Sequence, residues 1–334
     1  MQTQVKTLKT IFIEPSYKIM YEDNIFNPTL YQDPSMALPY LRLRDNLATK
    51  GIAVHTADYY RMGKYLSEIN EYWSFGVLND FVRVKRNNLH IAGFLLLEPP
   101  LIYPKIYQNL SKYSKYFDKI YIYNSKAIAG EHKYKQALIP IPYNDILSHY
   151  WLNESRSDKL VLIAGNHAPF FKKNELYSER IQLVNFLSKN NFIDLYGRGW
   201  NFHINRRILW WKYLLNYSSI MKSYKGATSN KHETLSKYKF SICFENSITA
   251  GYITEKIFDC FYAGTIPIYY GDPNVKESID PDSYIDFRKF DDYKDLELFV
   301  KNISEQEYNK IKNAGKDFIL NKASNYYDFL DNIF

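Results

Sequence analysis

The sequence contains only two cysteines, Cys243 and Cys260, in 334 residues. Two thiols cannot build a disulfide framework, so the fold must rest on its apolar core, and a reducing compartment suits it. No C-x-x-C or H-E-x-x-H occurs, and the seven histidines form no cluster. No zinc site is therefore expected. Long apolar runs are also lacking. The stretch Ile91–Leu97 falls far short of the ~20 residues that span a bilayer. Met1-Gln-Thr-Gln-Val-Lys6 leads into no apolar segment, so no signal peptide is expected. Neither sign of charge dominates. The 43 Lys+Arg and 36 Asp+Glu leave a net +7, and the basic residues are scattered rather than blocked. That disfavours nucleic acid as a partner. An anionic membrane face or a phosphorylated small molecule remains compatible with it. The expected location is the cytoplasm, with peripheral contact to the cytoplasmic face of a membrane as the alternative.

What is present is ordinary for a soluble globular chain. Hydrophobic residues make up 46% and charged residues 24%, which excludes collagen, a coiled coil and wholesale disorder. At roughly 100–200 residues per domain, the length suits two domains or one large one. Tyrosine is abundant, with 32 copies. A tyrosine ring can stack on a sugar, but in a chain rich in Lys, Asn and Ile the excess is first a matter of composition.

Strand-like and helix-like segments alternate along nearly the whole length. Strands are expected at Leu8–Glu14, Ile52–Thr56, Ile91–Leu97, Lys119–Tyr123 and Leu138–Ile141, with a helix at Ala37–Lys50. The polar run Asn153–Asp158 reads as a linker. Beyond it, strands are expected at Leu160–Ala164, Phe192–Leu195, Tyr238–Phe244 and Thr265–Tyr270. Helices are expected at Asn174–Leu187 and Thr254–Tyr262, the latter stopped by Gly264. Two such series predict an α/β protein with two Rossmann-like doubly wound domains facing each other across a cleft. The domains are expected at residues 1–152 and 159–320.

In open α/β sheets, ligands bind beyond the carboxyl ends of the strands. Three such places carry chemistry. Strand Tyr238–Phe244 runs into Glu245 and Asn246, then a loop with Gly251, then a helix opening at Thr254 with Glu255 and Lys256 in its first turn. Thr254 is a suitable N-cap. A helix N-terminus with a lysine suits a phosphate, and Glu255 can accept two hydroxyl hydrogen bonds. Gly197-Arg-Gly199 follows the strand at Phe192–Leu195, where Arg198 could grip a phosphate. Leu95-Leu-Leu-Glu-Pro-Pro100 and Glu14-Pro15 each end a strand in a carboxylate held by proline. Either Glu98 or Glu14 could serve as a general base, and the pattern alone does not choose between them. Asp280-Pro-Asp282 has the form of a metal-binding D-x-D, but Asp-Pro is ordinary turn chemistry. Arg206–Leu215 is a basic, aromatic, mostly apolar helix that reads more simply as buried than as membrane-facing.

These residues carry a family resemblance. Ser236-Lys-Tyr-Lys-Phe-Ser-Ile-Cys-Phe-Glu-Asn-Ser247, Gly251-Tyr-Ile-Thr-Glu-Lys-Ile-Phe-Asp259 and Ala263-Gly-Thr-Ile-Pro-Ile-Tyr-Tyr-Gly271 together resemble the donor-binding signature of the α1,3-fucosyltransferases, glycosyltransferase family 10. Leu195-Tyr-Gly-Arg-Gly-Trp200, Tyr224-Lys-Gly-Ala227 and Asn230-Lys231 resemble that family too. The resemblance runs from about Leu160 to Val275. In the first half it is carried only by Leu97-Glu98-Pro99. It implies the GT-B fold and an inverting transfer of L-fucose from GDP-fucose to an acceptor glycan. The family's usual target is O3 of N-acetylglucosamine in a galactosyl-N-acetylglucosamine end. The acceptor is an oligosaccharide, free or lipid-linked. No cofactor is implied, and a divalent metal is at most stimulatory. Carried over by motif, Arg198, Tyr224 and Lys256 contact the nucleotide or diphosphate, with Arg206 or Arg207 as alternatives to Arg198. Asn246 and Tyr252 line the nucleotide-sugar pocket. Glu255 holds fucose hydroxyls as one member of the catalytic pair, and Glu98 is the general base. The competing readings are a GT-B transferase using another nucleotide-sugar and a non-catalytic sugar-binding protein.

Overall fold

The computed structural model describes residues 7–76, 89–125, 133–167, 173–201 and 211–334. The chain divides into two units. One comprises Met1–Pro142 with Asn325–Phe334, the other Tyr143–Ser324. The division thus falls ten residues before the polar run expected to be a linker. The reason is local: Ser157 and Asp158 already belong to a strand, and Arg156 is tied into the second unit by hydrogen bonds to the carbonyls of Tyr150, Tyr238 and Ala263.

The first unit holds a six-stranded parallel sheet. Its strands are β1 Lys9–Glu14, β2 Ile52–Thr56, β3 Ile69–Phe75, β4 His90–Leu95, β5 Lys119–Ile122 and β6 Tyr134–Gln136. They lie in the order β2-β1-β3-β4-β5-β6. Ile11, Phe12 and Ile13 are fully buried, as a parallel strand covered on both faces requires. Helix α1, Leu38–Thr49, carries Pro39 in its first turn and buries Leu43 and Leu47, four residues apart on one face.

Two sequence expectations fail here. Leu138–Ile141 is not a strand. The last ladder bond runs from Ala137 N–H to the Ile122 carbonyl, and Pro140 has no N–H to continue it. Ile141 N–H instead donates to the carbonyl of Tyr326. The second difference is β3, a central strand that the sequence reading omitted because Asn70, Glu71 and Ser74 interrupt its apolar pattern. Asn70 is satisfied by Ser67, and Glu71 pairs with Lys9 at 2.7 Å.

The final residues return to this sheet. Phe334 packs 4.3 Å from the Trp73 ring, and Phe329 meets Tyr121 edge-on. The Arg42 guanidinium lies 3.6 Å from the Tyr327 ring centre.

The second unit holds a five-stranded parallel sheet. Its strands are β7 Ser157–Ile163, β8 Ile193–Tyr196, β9 Tyr238–Phe244, β10 Ile266–Tyr270 and β11 Ile285–Asp286, in the order β11-β10-β9-β7-β8. Helices α2 Tyr177–Lys189, α3 Trp211–Ser223, α4 Glu255–Ala263, α5 Tyr293–Asn302 and α6 Glu305–Asn321 accompany it. Helix α4 ends where Gly264 turns left-handed, at φ +68°, and donates back to Cys260 and Phe261.

In each sheet the chain leaves one central strand in one direction and returns on its other side. That reversal lies between β1 and β3 in the first unit and between β7 and β9 in the second, which are the positions where such folds take ligands. Among the described residues no helix is long and apolar enough to cross a membrane.

Gly93 in β4 tests the sheet packing. A Cβ there would lie 2.2 Å from the ring of buried Trp73. Gly93→Ala is expected to cost about 1–3 kcal/mol or more, measured as a lowered denaturant midpoint at unchanged m-value.

Candidate active site

Strand β9 lies between β7 and β10 and is buried along nearly its whole length. Its carboxyl end delivers Glu245, which is 0% exposed. A carboxylate at that depth must be satisfied. It accepts from Thr254 N–H at 2.8 Å, from Thr254 Oγ1 at 2.8 and 3.1 Å, and from Lys256 Nζ at 3.1 Å. These bonds change the expected role of Thr254. Its hydroxyl does not cap α4; it is committed to Glu245 and accepts from Lys256 Nζ at 2.8 Å.

Lys256 therefore has two of its three N–H donors placed, and the third is available to a ligand. Its side chain is 24% exposed, with Glu255 at 3.7 Å. Burial opposes its charge, but the carboxylates of Glu245 and Glu255 outweigh burial and hold its pKa above the ordinary lysine value. Lys256 is thus a cation at neutral pH.

A cavity of about 240 Å³ opens at this point, between the carboxyl ends of β7 and β9. Ala164, Gly165, Phe244, Glu255, Lys256 and Lys231 are among its lining residues. Asp259 also lines it, one helical turn after Glu255 on the same face of α4. The Asp259 carboxylate bridges Lys231 at 2.8 Å and His232 at 2.9 Å. Burial alone would raise its pKa, but Lys231 and His232 prevail and lower it. The sequence reading missed Asp259; the i, i+4 spacing from Glu255 was the available signal. Both cysteines stand in the same wall, free and buried. Burial, reinforced by a hydrogen bond with Cys260, pushes the Cys243 thiol up.

The other residues named from sequence fall into three places. Asn246 is half-buried and its Nδ2 donates to the Tyr252 hydroxyl at 3.3 Å. Tyr252 itself is 2% exposed and is not in the cavity wall. Arg198 and Tyr224 meet at the end of β8. Tyr224 pairs with Leu195, and its hydroxyl donates to the Gly197 carbonyl at 2.9 Å. Gly197 adopts φ +136°, and a Cβ there would lie 1.9 Å from the Ala164 carbonyl oxygen. Only glycine lets this turn pack against the chain leaving β7. The Arg198 side chain is exposed, while its carbonyl accepts from Asn166 N–H. Arg206 and Arg207 lie outside the described residues, and at the described end of that segment Leu214 and Leu215 are exposed rather than buried as the sequence suggested.

Glu98 belongs to the first unit. It is half-buried, three residues beyond β4 rather than directly at its end, and its carbonyl accepts from the Tyr107 hydroxyl at 2.9 Å. Glu14, the sequence alternative, is in a different state. It is 2% exposed and accepts from Arg61 at 2.6 and 3.4 Å, from Tyr72 at 3.2 Å and from Tyr21. Burial and the carboxylate push the Tyr21 hydroxyl up to about 12. A carboxylate enclosed by four donor contacts has no room for an incoming hydroxyl.

Comparison with known proteins bears on the second unit. Residues 165–320 match the family model described as glycosyltransferase family 10 (fucosyltransferase), C-term. That match takes in less than half of the chain and includes most of the residues around the cavity. The alpha-(1,3)-fucosyltransferase FucT of Helicobacter pylori is 40% identical over 99 residues, which are 30% of this chain and 20% of that protein. An alpha-(1,4)-fucosyltransferase of Arabidopsis thaliana is 38% identical over 74 residues, 22% of this chain and 18% of that protein. The chain thus aligns with about a fifth of the length of these relatives. A crystal structure of an alpha1,3-fucosyltransferase with GDP superposes with a TM-score of 0.52 at 15% identity, covering 95% of this chain and 84% of that one. At that identity the likeness concerns the fold alone. The two parallel-sheet α/β units have the GT-B fold, the fold of the solved glycosyltransferases they resemble.

The Asp259 cluster makes a pH prediction. Its folded-state pKa is depressed, so the stability it supplies is complete above the unfolded value of about 3.9. It is lost as pH falls through the lower folded value. Asp259→Asn should be less stable than wild type at pH 7, and the two should converge at low pH. Denaturant unfolding across that range measures it.

Proposed function

We propose that the chain transfers L-fucose from GDP-fucose to a hydroxyl of an acceptor glycan, with inversion at the anomeric carbon. The acceptor is O3 of N-acetylglucosamine in a galactosyl-N-acetylglucosamine-type end, free or lipid-linked. The observation that carries this reading is the pairing of Glu255 and Lys256 at the head of α4, on a cavity at the sheet's reversal point, within the family 10 domain. The family 10 relatives and the solved alpha1,3-fucosyltransferase with GDP support the donor by their names. Both (1,3) and (1,4) enzymes are among the relatives, and the proposed O3 linkage is that of the (1,3) enzyme. A cytoplasmic location, with peripheral membrane contact, belongs to the same proposal.

The chemistry divides between residues. As the new C–O bond forms at the anomeric carbon, the acceptor hydroxyl must lose its proton, and Glu98 takes it. The bond to the GDP oxygen breaks, and negative charge grows on the diphosphate. The remaining Lys256 donor, the free N–H groups of α4, and Arg198 with Tyr224 stabilise that charge. Glu255, through its carboxylate oxygens, receives sugar hydroxyls. Asn246 completes the nucleotide-sugar side, with buried Tyr252 behind it accepting from its amide. The base is assigned to Glu98 on the Leu97-Glu98-Pro99 motif, while Glu14 is enclosed by Arg61 and Tyr72.

No divalent metal is required in this scheme, because protein cations serve the diphosphate. The D-x-D segment is otherwise engaged: Asp280 pairs with Lys322 at 2.6 Å and accepts from Asp282 N–H.

Three outcomes check the proposal. With GDP-fucose, GDP-mannose and UDP-sugars offered alongside a glycan array, only GDP-fucose should label an acceptor. Glu98→Gln should then cut turnover by ~10²–10⁴-fold with GDP affinity nearly unchanged; near-normal turnover would remove Glu98 from the role. EDTA should leave most transfer intact, and complete loss restored by Mn²⁺ or Mg²⁺ would overturn the metal-independent scheme.

A further inference from the structure

Arg180 is a charged side chain that the scheme above does not use. It lies in the first turn of α2 and is 3% exposed. Its hydrogen-bond partners are carbonyls. Nη2 donates to the backbone oxygens of Phe244 at 2.5 Å and Glu245 at 2.6 Å, and to Asn246 Oδ1 at 3.2 Å. Nε is buried without a partner among the described residues. The Tyr177 ring lies 5.2 Å from the guanidinium carbon. Burial lowers the Arg180 pKa, but an arginine does not lose its proton in a protein. A full positive charge is therefore kept inside the second unit with carbonyl dipoles, and no carboxylate, bonded to it among the described residues.

Those three bonds all fall on the junction where β9 becomes the loop leading to α4. A guanidinium has donors only, so it determines which way the Asn246 amide faces. Oδ1 is turned to Arg180, and Nδ2 donates to Tyr252. The main chain holds the same junction from the other side. Leu176 N–H donates to the Asn246 carbonyl at 3.1 Å, and Ile248 N–H to the Asn174 carbonyl at 2.8 Å. Asn246 is thus left with one unassigned amide N–H at the carboxyl end of β9, in an orientation it cannot reverse while Arg180 is in place. With Arg180 removed, the amide could flip and present its oxygen, which would repel an anionic ligand.

We propose that Arg180 is a positioning residue for the donor nucleotide: it locks Asn246 as a hydrogen-bond donor and puts a buried cation behind the site of the diphosphate. The inference rests on the GDP-sugar reading given above.

The test uses the full chain with GDP as the probe. Calorimetric GDP affinity and melting temperature are measured for wild type, Arg180→Lys, Asn246→Ala and the double variant. Lysine keeps the charge but carries it on a shorter side chain, so its ammonium cannot take the place of Nη2 at all three acceptors. Each single variant should weaken GDP by about tenfold, the size of one lost hydrogen bond to a charged group. The double variant should be no weaker than Asn246→Ala alone, because both changes remove one shared contact. Wild-type affinity in Arg180→Lys, or losses that multiply in the double variant, would overturn the inference while leaving the donor reading intact. If Arg180→Lys does not fold, Asn246→Asp decides the matter. A carboxylate beside the buried guanidinium should raise the melting temperature while GDP affinity falls, and a melting temperature at or below wild type would refute the role. A wild-type chain without GDP affinity would overturn the donor reading and this inference with it.

Discussion

The Glu245 carboxylate joins the end of β9 to the start of α4, and the candidate site depends on that junction. It lies at zero exposure and holds Thr254 through both backbone and hydroxyl and Lys256 through its ammonium. An isolated carboxylate at that depth would be strongly disfavoured. Paired and hydrogen-bonded, it fixes where the helix begins. The consequences run outward. Thr254 is drawn from capping into the carboxylate. Lys256 is held by two bonds, which orients its third donor. Glu255 is left half-exposed at the helix head, facing the cavity rather than the sheet.

The two units use one topology differently. Each ends a strand at its chain reversal with a buried glutamate bound to a basic residue: Glu14 to Arg61 in the first, Glu245 to Lys256 in the second. In the first unit, Tyr21 and Tyr72 fill the remaining positions around the carboxylate, so the reversal point is closed by the protein itself. In the second, the corresponding region opens onto a cavity lined by both charged and apolar groups. The difference lies in side chains, not in strand order.

Charge around the cavity is arranged in couples rather than as a basic patch. Lys256 sits with Glu245 and Glu255, and Lys231 with Asp259, itself shared with His232. Such couples hold the lysines in place before any anion arrives, which is the preorganisation a developing negative charge requires. Arg180 differs in being bonded to dipoles instead of carboxylates. That arrangement leaves its field less cancelled.

Several features were legible in the residues themselves. Ile52–Thr56 and Tyr238–Phe244 read as strands with the bounds they have, because short β-rich runs between polar or glycine residues admit little else. The helix at Glu255–Ala263 was marked at one end by its polar first turn and at the other by Gly264. Placing Glu255 and Lys256 at a strand-loop-helix junction needed only sequence order. What sequence order could not supply was partnership across the fold. Strand Ile69–Phe75 became central because Lys9 and Ser67 satisfy its polar residues. Leu138–Ile141 lost its place in the sheet to Pro140 and found a partner in Tyr326. Glu98 and Glu14 have the same local pattern, yet only Glu14 is enclosed by Arg61, Tyr21 and Tyr72, residues up to 58 positions away in the chain. Local pattern determines which backbone a segment adopts, because propensity and periodicity act over a few residues. Whether a buried charge is free, paired or enclosed depends on side chains from distant segments, and only the tertiary structure decided that.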